Sequence, residues 1–383
     1  MDILFDYQAF EMQRFGGVSH SYAELIKHLR KEGCKCLTGL KESDNEYIKE
    51  DGLKPLHYTY KKWFEGEKWF KGQRTLTRKV MAVMGYYNDG LTINKDYCIH
   101  TLNRQQFDIF EPTFFDPYFL PYLKGKPFVL TVHDMIPELF PQYFPEDDPQ
   151  IIQKRLLCLR ANHIHVPSQK TKEDLVNILN IAPVKITVIP HGRPDFIVDD
   201  YAAQPIFDFP YLLFVGNRSG YKNFSRFIIE YSSFVEKYPE VRVVCTGKEF
   251  SEDEKDLFLR LGIVKNVLHC YADDESLRNM YHYAAAFVFP SAYEGFGLPI
   301  LEAFTSECPV LLNNESCFPE VAEDAAVYFD INKTGDLCEK LVDFYSSGDS
   351  LRKEMIKKGK KQAEKYSWEK SAQLLKNVYE SLL

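Results

Sequence analysis

Short apolar runs alternate with amphipathic stretches along the chain. In the first half, apolar runs of strand length occur at 2–7, 128–132, 163–166 and 185–189. Between them, apolar residues recur at helical spacing at 18–31, 149–161 and 170–179. This alternation is typical of a parallel sheet with helices on both faces.

The second half repeats the same order independently. Strands are predicted at 211–215, 241–246, 267–269, 286–289 and 309–312, with helices at 224–237, 252–261, 274–283 and 299–307. We therefore expect an α/β protein with two doubly wound, Rossmann-like domains that face each other across a cleft. In such sheets, ligands bind at the carboxyl ends of the strands.

Domain boundaries follow from the stretch 191–210, which has three prolines, several acidic residues and little periodicity. We expect an N-terminal, acceptor-side domain at 1–195 and a C-terminal, donor-binding domain at 205–365. A final helix at 366–383 is expected to pack back toward the N-terminal domain. The length of 383 residues agrees with two domains, because a single core rarely grows past about 250–300 residues.

The charge balance narrows the choice of partners. With 47 Lys and Arg against 55 Asp and Glu, the net charge is −8, which excludes a broad nucleic-acid surface but not a local phosphate site. Nine scattered cysteines indicate reduced thiols, and no apolar run reaches the roughly 18 residues that span a bilayer. We expect a cytoplasmic protein, peripheral to the membrane if it binds one.

One segment is basic although the net charge of the whole chain is negative. Residues 54–79 contain eight Lys and Arg and two Glu, with six interleaved aromatic side chains. Such a stretch is typical of a surface for anionic lipid or a lipid-diphosphate acceptor. A solvated helix whose aromatic residues fill the core of the first domain explains it equally well.

The segment 290–304 is the most informative. Gly295 and Gly297 allow close backbone approach to a ligand, and free amides at the start of the following helix favour a diphosphate. Glu302 lies in the first helical turn, where its side chain can point back toward the cleft. Glu294, in the preceding loop, is a second acceptor for sugar hydroxyls. Two glutamates eight positions apart are common, so the spacing alone favours a role for Glu302 in stabilising the helix dipole, and the rest of the segment favours the binding role.

The sequence Tyr-Glu-Gly-Phe-Gly-Leu-Pro-Ile-Leu-Glu-Ala, from Tyr293 to Ala303, resembles the signature of retaining glycosyltransferases of family 4. Similarity to this family extends over most of the chain, including 132–134, 188–192 and 314–329. It implies the GT-B fold and metal-independent transfer of a hexose from a nucleotide-diphosphate sugar to a glycan or lipid-linked glycan. The stretch 133–137 resembles bacterial mannosyltransferases of surface-polysaccharide synthesis, so GDP-mannose is the first expected donor and a UDP-hexose the second.

The resemblance also implies roles for individual residues. Glu294 would contact the donor sugar and Glu302 the ribose, while the amides of Phe296, Gly297 and Leu298 would hold the sugar and the diphosphate. Four further contacts follow by position: Lys222 and Arg218 as cations on the leaving diphosphate, the backbone of Gly16 and Gly17 closing over it, and His133 near the reacting carbon.

Three other functions are compatible with parts of the sequence. The run Gly295-x-Gly297-x-x-Ile300 imitates a dinucleotide fingerprint, although Ile300 stands where close packing needs Gly or Ala. A nicotinamide-dependent enzyme, a nucleotide-sugar epimerase of the same fold and a non-catalytic scaffold are the alternatives. The acidic pairs at 147–148 and 273–274 are adjacent rather than Asp-x-Asp, so we expect no essential metal and no cofactor beyond the donor.

Overall fold

The computed structural model describes residues 1–12, 14–48, 90–194, 204–218 and 220–383. The basic, aromatic segment 54–79 therefore lies outside the described residues. The described chain forms two α/β units, each built on parallel strands.

The N-terminal unit contains two three-stranded sheets joined edge to edge. Their orders are β2-β1-β3 and β4-β5-β6, and a parallel bridge between Phe110 and Phe128 connects them. The strands are β1 (Asp2–Phe5), β2 (Lys35–Thr38), β3 (Ile109–Glu111), β4 (Val129–Thr131), β5 (His163–Val166) and β6 (Ile186–Val188). The helices are α1 (Gln8–Met12), α2 (Gly17–Lys31), α3 (Gly90–Arg104), α4 (Ile136–Leu139), α5 (Pro149–Arg160) and α6 (Gln169–Leu179).

The C-terminal unit has one six-stranded parallel sheet in the order β12-β11-β10-β7-β8-β9. Its strands are β7 (Tyr211–Phe214), β8 (Arg242–Cys245), β9 (Val267–His269), β10 (Ala286–Phe289), β11 (Val310–Asn313) and β12 (Val327–Phe329). Its helices are α7 (Phe224–Lys237), α8 (Glu252–Arg260), α9 (Asp274–Tyr283), α10 (Leu298–Thr305), α11 (Phe318–Ala322), α12 (Asp336–Ser346) and α13 (Gly348–Ala363). The central strands β7, β10 and β11 are buried along their whole length, which explains why every residue in them except Asn313 is apolar.

The last helix, α14 (Trp368–Glu380), returns to the N-terminal unit and packs along α2. Ser367 caps its first turn, and the Ser371 hydroxyl donates to the carbonyl of Pro190. Trp368 and Tyr379 are buried in the core of the N-terminal unit. Gly192 has no room for a side chain, because a Cβ there would lie 2.3 Å from the backbone nitrogen of Trp368.

This architecture confirms the predicted α/β fold of two Rossmann-like domains. Strands β2 and β3 and helix α3 were not predicted. The two strands have only four and three residues, and the apolar residues of α3 are not concentrated on one face of the helix. Among the described residues, no helix is long and apolar enough to cross a membrane.

Candidate functional site

The loop after β10 leads directly into α10 at the interface between the two units. Gly297 precedes the helix with a φ of 88°, in the left-handed region that favours glycine. A Cβ on Gly295 would lie 1.8 Å from the carbonyl oxygen of His133, in the other unit. Glycine is therefore required at position 295 for this close contact between the units.

Two helix N-termini meet at this point. Helix α2 begins at Gly17, and a Cβ built on Gly17 would lie 3.8 Å from Cδ1 of Leu298, the first residue of α10. Gly16 is extended, and its carbonyl accepts from the amide of His20 and the hydroxyl of Ser19. Because the N-terminal ends of helices attract anions, two such ends this close together suit a diphosphate.

Lys222 and Glu294 form an ion pair beside this loop, with 2.5 Å between Nζ and Oε1. Burial lowers the pKa of Lys222, but the negative charges of Glu294 and Asp134 outweigh it, so the net shift is upward. The ammonium group therefore stays charged at neutral pH. The backbone holds the pair in place, since the amide of Ala292 donates to the carbonyl of Tyr221.

Glu302 occupies a different part of the interface. Its Oε2 accepts a hydrogen bond from the Tyr281 hydroxyl at 3.1 Å. Desolvation raises the pKa of Glu302 to about 7, although the hydrogen bond from Tyr281 opposes the shift. Glu302 and Tyr281 line a cavity of about 200 Å³ between the units, together with His20, Glu24, Tyr47, Pro194, Asp274, Leu277, Arg278, Ser306 and Trp368. Neither Lys222 nor Glu294 lines that cavity.

His133 follows strand β4 at its carboxyl end. Its ring stacks on His191 at 6.1 Å and meets Tyr22 edge-on at 5.7 Å. Desolvation, with smaller effects of His165 and Lys154, lowers the pKa of His133 to about 3, so the ring is neutral near pH 7. Its Nε2 is buried with no hydrogen-bond partner among the described residues, which leaves it available to a ligand. Asp134 caps the turn, since its Oδ1 accepts from the amide of Ile136 at 2.9 Å.

Arg218 has a different set of contacts from Lys222. Its Nε donates to Glu254 at 2.8 Å, and its other nitrogens donate to the carbonyls of Thr246, Lys248 and Glu249. The guanidinium thus joins the loop after β7 to the loop after β8. These contacts are structural, and the diphosphate contact expected of Arg218 stays a prediction.

His191 is a residue of the interface that sequence reasoning did not assign to the site. It follows strand β6 and is buried, and its ring lies 5.2 Å from Phe296 and 5.6 Å from Trp368. Its position after the carboxyl end of a parallel strand is the signal that could have identified it. The structure thus brings Gly17, His133, Lys222, Glu294 and the residues 296–298 to one interface.

Among the described residues, no group of three or more His, Cys, Asp or Glu side chains is arranged to hold a metal ion.

Two family descriptions match the chain in succession. Residues 15–194 match "Glycosyltransferase Family 4", and residues 202–362 match "Glycosyl transferases group 1". The two ranges together cover most of the chain and divide it between the two α/β units.

Characterised relatives include O-antigen chain mannosyltransferase B of Escherichia coli. It is 27% identical over 282 residues, which are 69% of this chain and 73% of the relative. O-antigen chain mannosyltransferase RfbU of Salmonella typhimurium is 28% identical over 213 residues, which are 55% of this chain and 58% of the relative.

Solved structures show the same fold at low identity. Anabaena HepE in complex with UDP and glucose has a TM-score of 0.70, 15% identity and full coverage of both chains. The lipopolysaccharide glycosyltransferase WaaG has a TM-score of 0.67 and 15% identity, over 98% of this chain and 99% of its own.

Proposed function

The chain belongs to the family 4 glycosyltransferases of GT-B fold, and from this premise we propose that it transfers mannose from GDP-mannose with retention of configuration. As a hexosyltransferase it uses a nucleotide-sugar donor and a glycan acceptor. The mannosyltransferase names of the two bacterial relatives support the choice of sugar. A lipid-linked glycan at the cytoplasmic face of a membrane is the proposed acceptor.

The observation that carries the proposal is the meeting of the α2 and α10 N-termini beside Lys222. Breaking the bond between sugar and phosphate develops negative charge on the departing diphosphate. In the proposed site the Lys222 ammonium, which is charged beside Glu294, and the amides at 296–298 stabilise that charge. We propose that this cationic and amide site replaces a metal ion, so that no cofactor is needed.

The donor is expected to lie across the interface. Glu302 accepts hydrogen bonds from the ribose hydroxyls in the cavity that it lines. Glu294 accepts hydrogen bonds from hydroxyls of the donor sugar beside Lys222. The neutral His133 contributes its unpartnered Nε2 as a hydrogen-bonding group to the sugar near the reacting carbon. In this arrangement a departing phosphate oxygen takes the proton of the acceptor hydroxyl, on the same face of the sugar that the diphosphate leaves.

A donor panel tests the proposal. Purified protein is incubated with GDP-mannose, UDP-glucose, UDP-galactose and NADH, with thermal stabilisation and slow release of nucleotide as readouts. We expect GDP-mannose to stabilise the protein and to be hydrolysed slowly, with EDTA having no effect. If only the UDP-hexoses stabilise the protein, the proposed donor changes from GDP-mannose to a UDP-hexose. Loss of hydrolysis in EDTA would overturn the proposal that the reaction needs no metal ion. Stabilisation by NADH alone would overturn the assignment of a sugar-nucleotide donor.

Configuration is tested separately, by the one-bond coupling between C1 and H1 of the transferred sugar in the NMR spectrum of the product, because the H1–H2 coupling of mannose is small in both anomers. Retention predicts an α-linkage from the α-linked donor. A β-linked product would overturn the retaining mechanism while leaving the donor assignment intact.

A further inference from the structure

Helix α5 presents an apolar stripe to solvent. Ile152, Leu156 and Leu159 follow one another at helical spacing and expose 71%, 36% and 59% of their surface. Val184, in the turn before β6, is 87% exposed. That turn lies against the end of α5, because Nζ of Lys185 donates to the carbonyls of Cys158 and Leu159.

Positive charges flank the C-terminal half of this stripe. No Asp or Glu occurs from 149 to 172 in a protein whose net charge is −8. Arg155 and Arg160 are exposed on α5 itself, and Lys185 is partly exposed beside its end. The acidic residues 146–148 precede the helix, so they lie at its N-terminal end and away from Leu159 and Arg160.

The opposite face of α5 is tied to the candidate active site. Lys154 is fully buried, and its Nζ donates to the carbonyl of Asp134 at 3.2 Å and to Glu138 at 2.8 Å. Asp134 adjoins His133, the residue whose carbonyl approaches Gly295. A partner that binds the outer face of α5 is therefore separated from the turn that carries His133 by about the diameter of this one helix.

We propose that the exposed face of α5, formed by Ile152, Leu156, Leu159 and Val184 with Arg155 and Arg160, docks on an anionic lipid bilayer. Apolar side chains enter the boundary between headgroups and acyl chains, while the arginines bind lipid phosphates. Charge complementarity favours this occupant, since Arg155 and Arg160 flank the apolar residues and attract lipid phosphates in a chain whose net charge is −8. The inference rests on the proposed function, because a lipid-linked acceptor would reach the His133 turn from that side.

The experiment is co-sedimentation of the whole protein with vesicles of phosphatidylcholine, with or without phosphatidylglycerol, at low and high salt. The double variant Leu156→Glu with Leu159→Glu removes the apolar contact, and Arg155→Ala with Arg160→Ala removes the charges. Leu259→Glu is the matched control, because Leu259 is 69% exposed on α8, a helix whose first turn is acidic. Circular dichroism and nucleotide release from GDP-mannose without vesicles report the fold and the active site of each variant.

We expect wild type to sediment with the anionic vesicles and less at high salt. Each lost leucine should lower the partition coefficient about tenfold or more, and each lost arginine about fivefold. The Leu259→Glu control should sediment like wild type, and all variants should release nucleotide at the wild-type rate.

Equal sedimentation of wild type and the double leucine variant would overturn the proposal, as would an equal loss in the Leu259→Glu control. A wild-type dimer that the leucine variant converts to a monomer, with vesicle binding unchanged, would overturn it in favour of a contact between two copies. Failure of GDP-mannose to bind would count against the proposed function alone, since sedimentation needs no donor.

Discussion

The ammonium of Lys222 is the charge that the proposed chemistry needs most. In the structure it is paired with Glu294 and stays protonated at neutral pH, so it is present as a cation when the donor binds. The two charges are partly buried at the interface, where electrostatic interactions are stronger than in water. Single substitutions here should therefore act on the rate more than on the fold.

Replacing Lys222 with Ala should lower kcat by about 10²-fold or more, because the developing charge on the diphosphate loses its cation. Lys222→Arg, which keeps the charge, should retain a larger share of the activity. Steady-state kinetics measure both, and a melting curve for each variant reports the fold. A kcat close to wild type for Lys222→Ala would remove this residue from the site.

The affinity of the protein for GDP should depend on pH through the ionisation of Glu302. In the proposed site Glu302 accepts hydrogen bonds from the ribose hydroxyls. An ionised carboxylate is the better acceptor, and burial raises the pKa of Glu302 to about 7. The affinity for GDP should therefore rise about tenfold between pH 6 and pH 8. The same raised pKa makes the folded state bind more protons than the unfolded chain, so the contribution of Glu302 to stability falls as pH rises toward 7.

Calorimetric titration of GDP at several pH values checks this prediction. Glu302→Gln should bind more weakly and lose this pH dependence. A wild-type affinity that does not change between pH 6 and pH 8 would contradict the assigned role of Glu302.

At the scale of elements, the start of α10 depends on how closely two backbones can approach. Gly295→Ala should lower kcat about 10²-fold, since its Cβ would push the loop away from the His133 carbonyl and misplace the helix N-terminus. Gly262→Ala is the control, because Gly262 lies outside the site and a Cβ there meets no atom within 4 Å. Kinetics of the two variants should differ strongly, and equal activities would contradict this account of the loop.

The sequence predicts the strands of this fold better than the contacts between its loops. The fold followed from apolar strands such as β7 and β10, which are buried throughout and therefore read as continuous apolar runs. The approach of Gly295 to His133 could not be predicted, because it joins residues far apart in sequence. The hydrogen bonds from Arg218 to backbone carbonyls could not be predicted either, because every residue type carries the same carbonyl group.

At the scale of the whole molecule, polar contacts hold the two units together. The carboxylate of Glu320, on α11, accepts from the amide of Gln169 at 2.8 Å and from that of Lys170 at 3.3 Å, at the N-terminus of α6. The Tyr293 hydroxyl donates to Asp174 on the same helix at 2.6 Å. Aromatic rings add to this, since Phe140 stacks on Tyr221 at 5.7 Å.

Replacing Glu320 with Gln should shift the molecule toward a more open arrangement, because a neutral amide interacts less with the helix N-terminus. The expected cost is about 1–3 kcal/mol, for a hydrogen bond that involves a charged group. Small-angle scattering should show a larger radius of gyration than for wild type. Glu323→Gln is the control, as Glu323 pairs with Lys365 within the same unit, and an equal change in both variants would contradict the role of Glu320.

The position of α14 has a consequence for the order of events during synthesis. The N-terminal unit emerges first from the ribosome, yet Trp368 and Tyr379, which fill its core, are made only after the C-terminal unit. The growing chain must therefore keep the groove along α2 uncovered until residues 368–380 have been made. A nascent chain stalled before residue 368 is expected to leave that groove open to chaperones, however completely the C-terminal unit has folded.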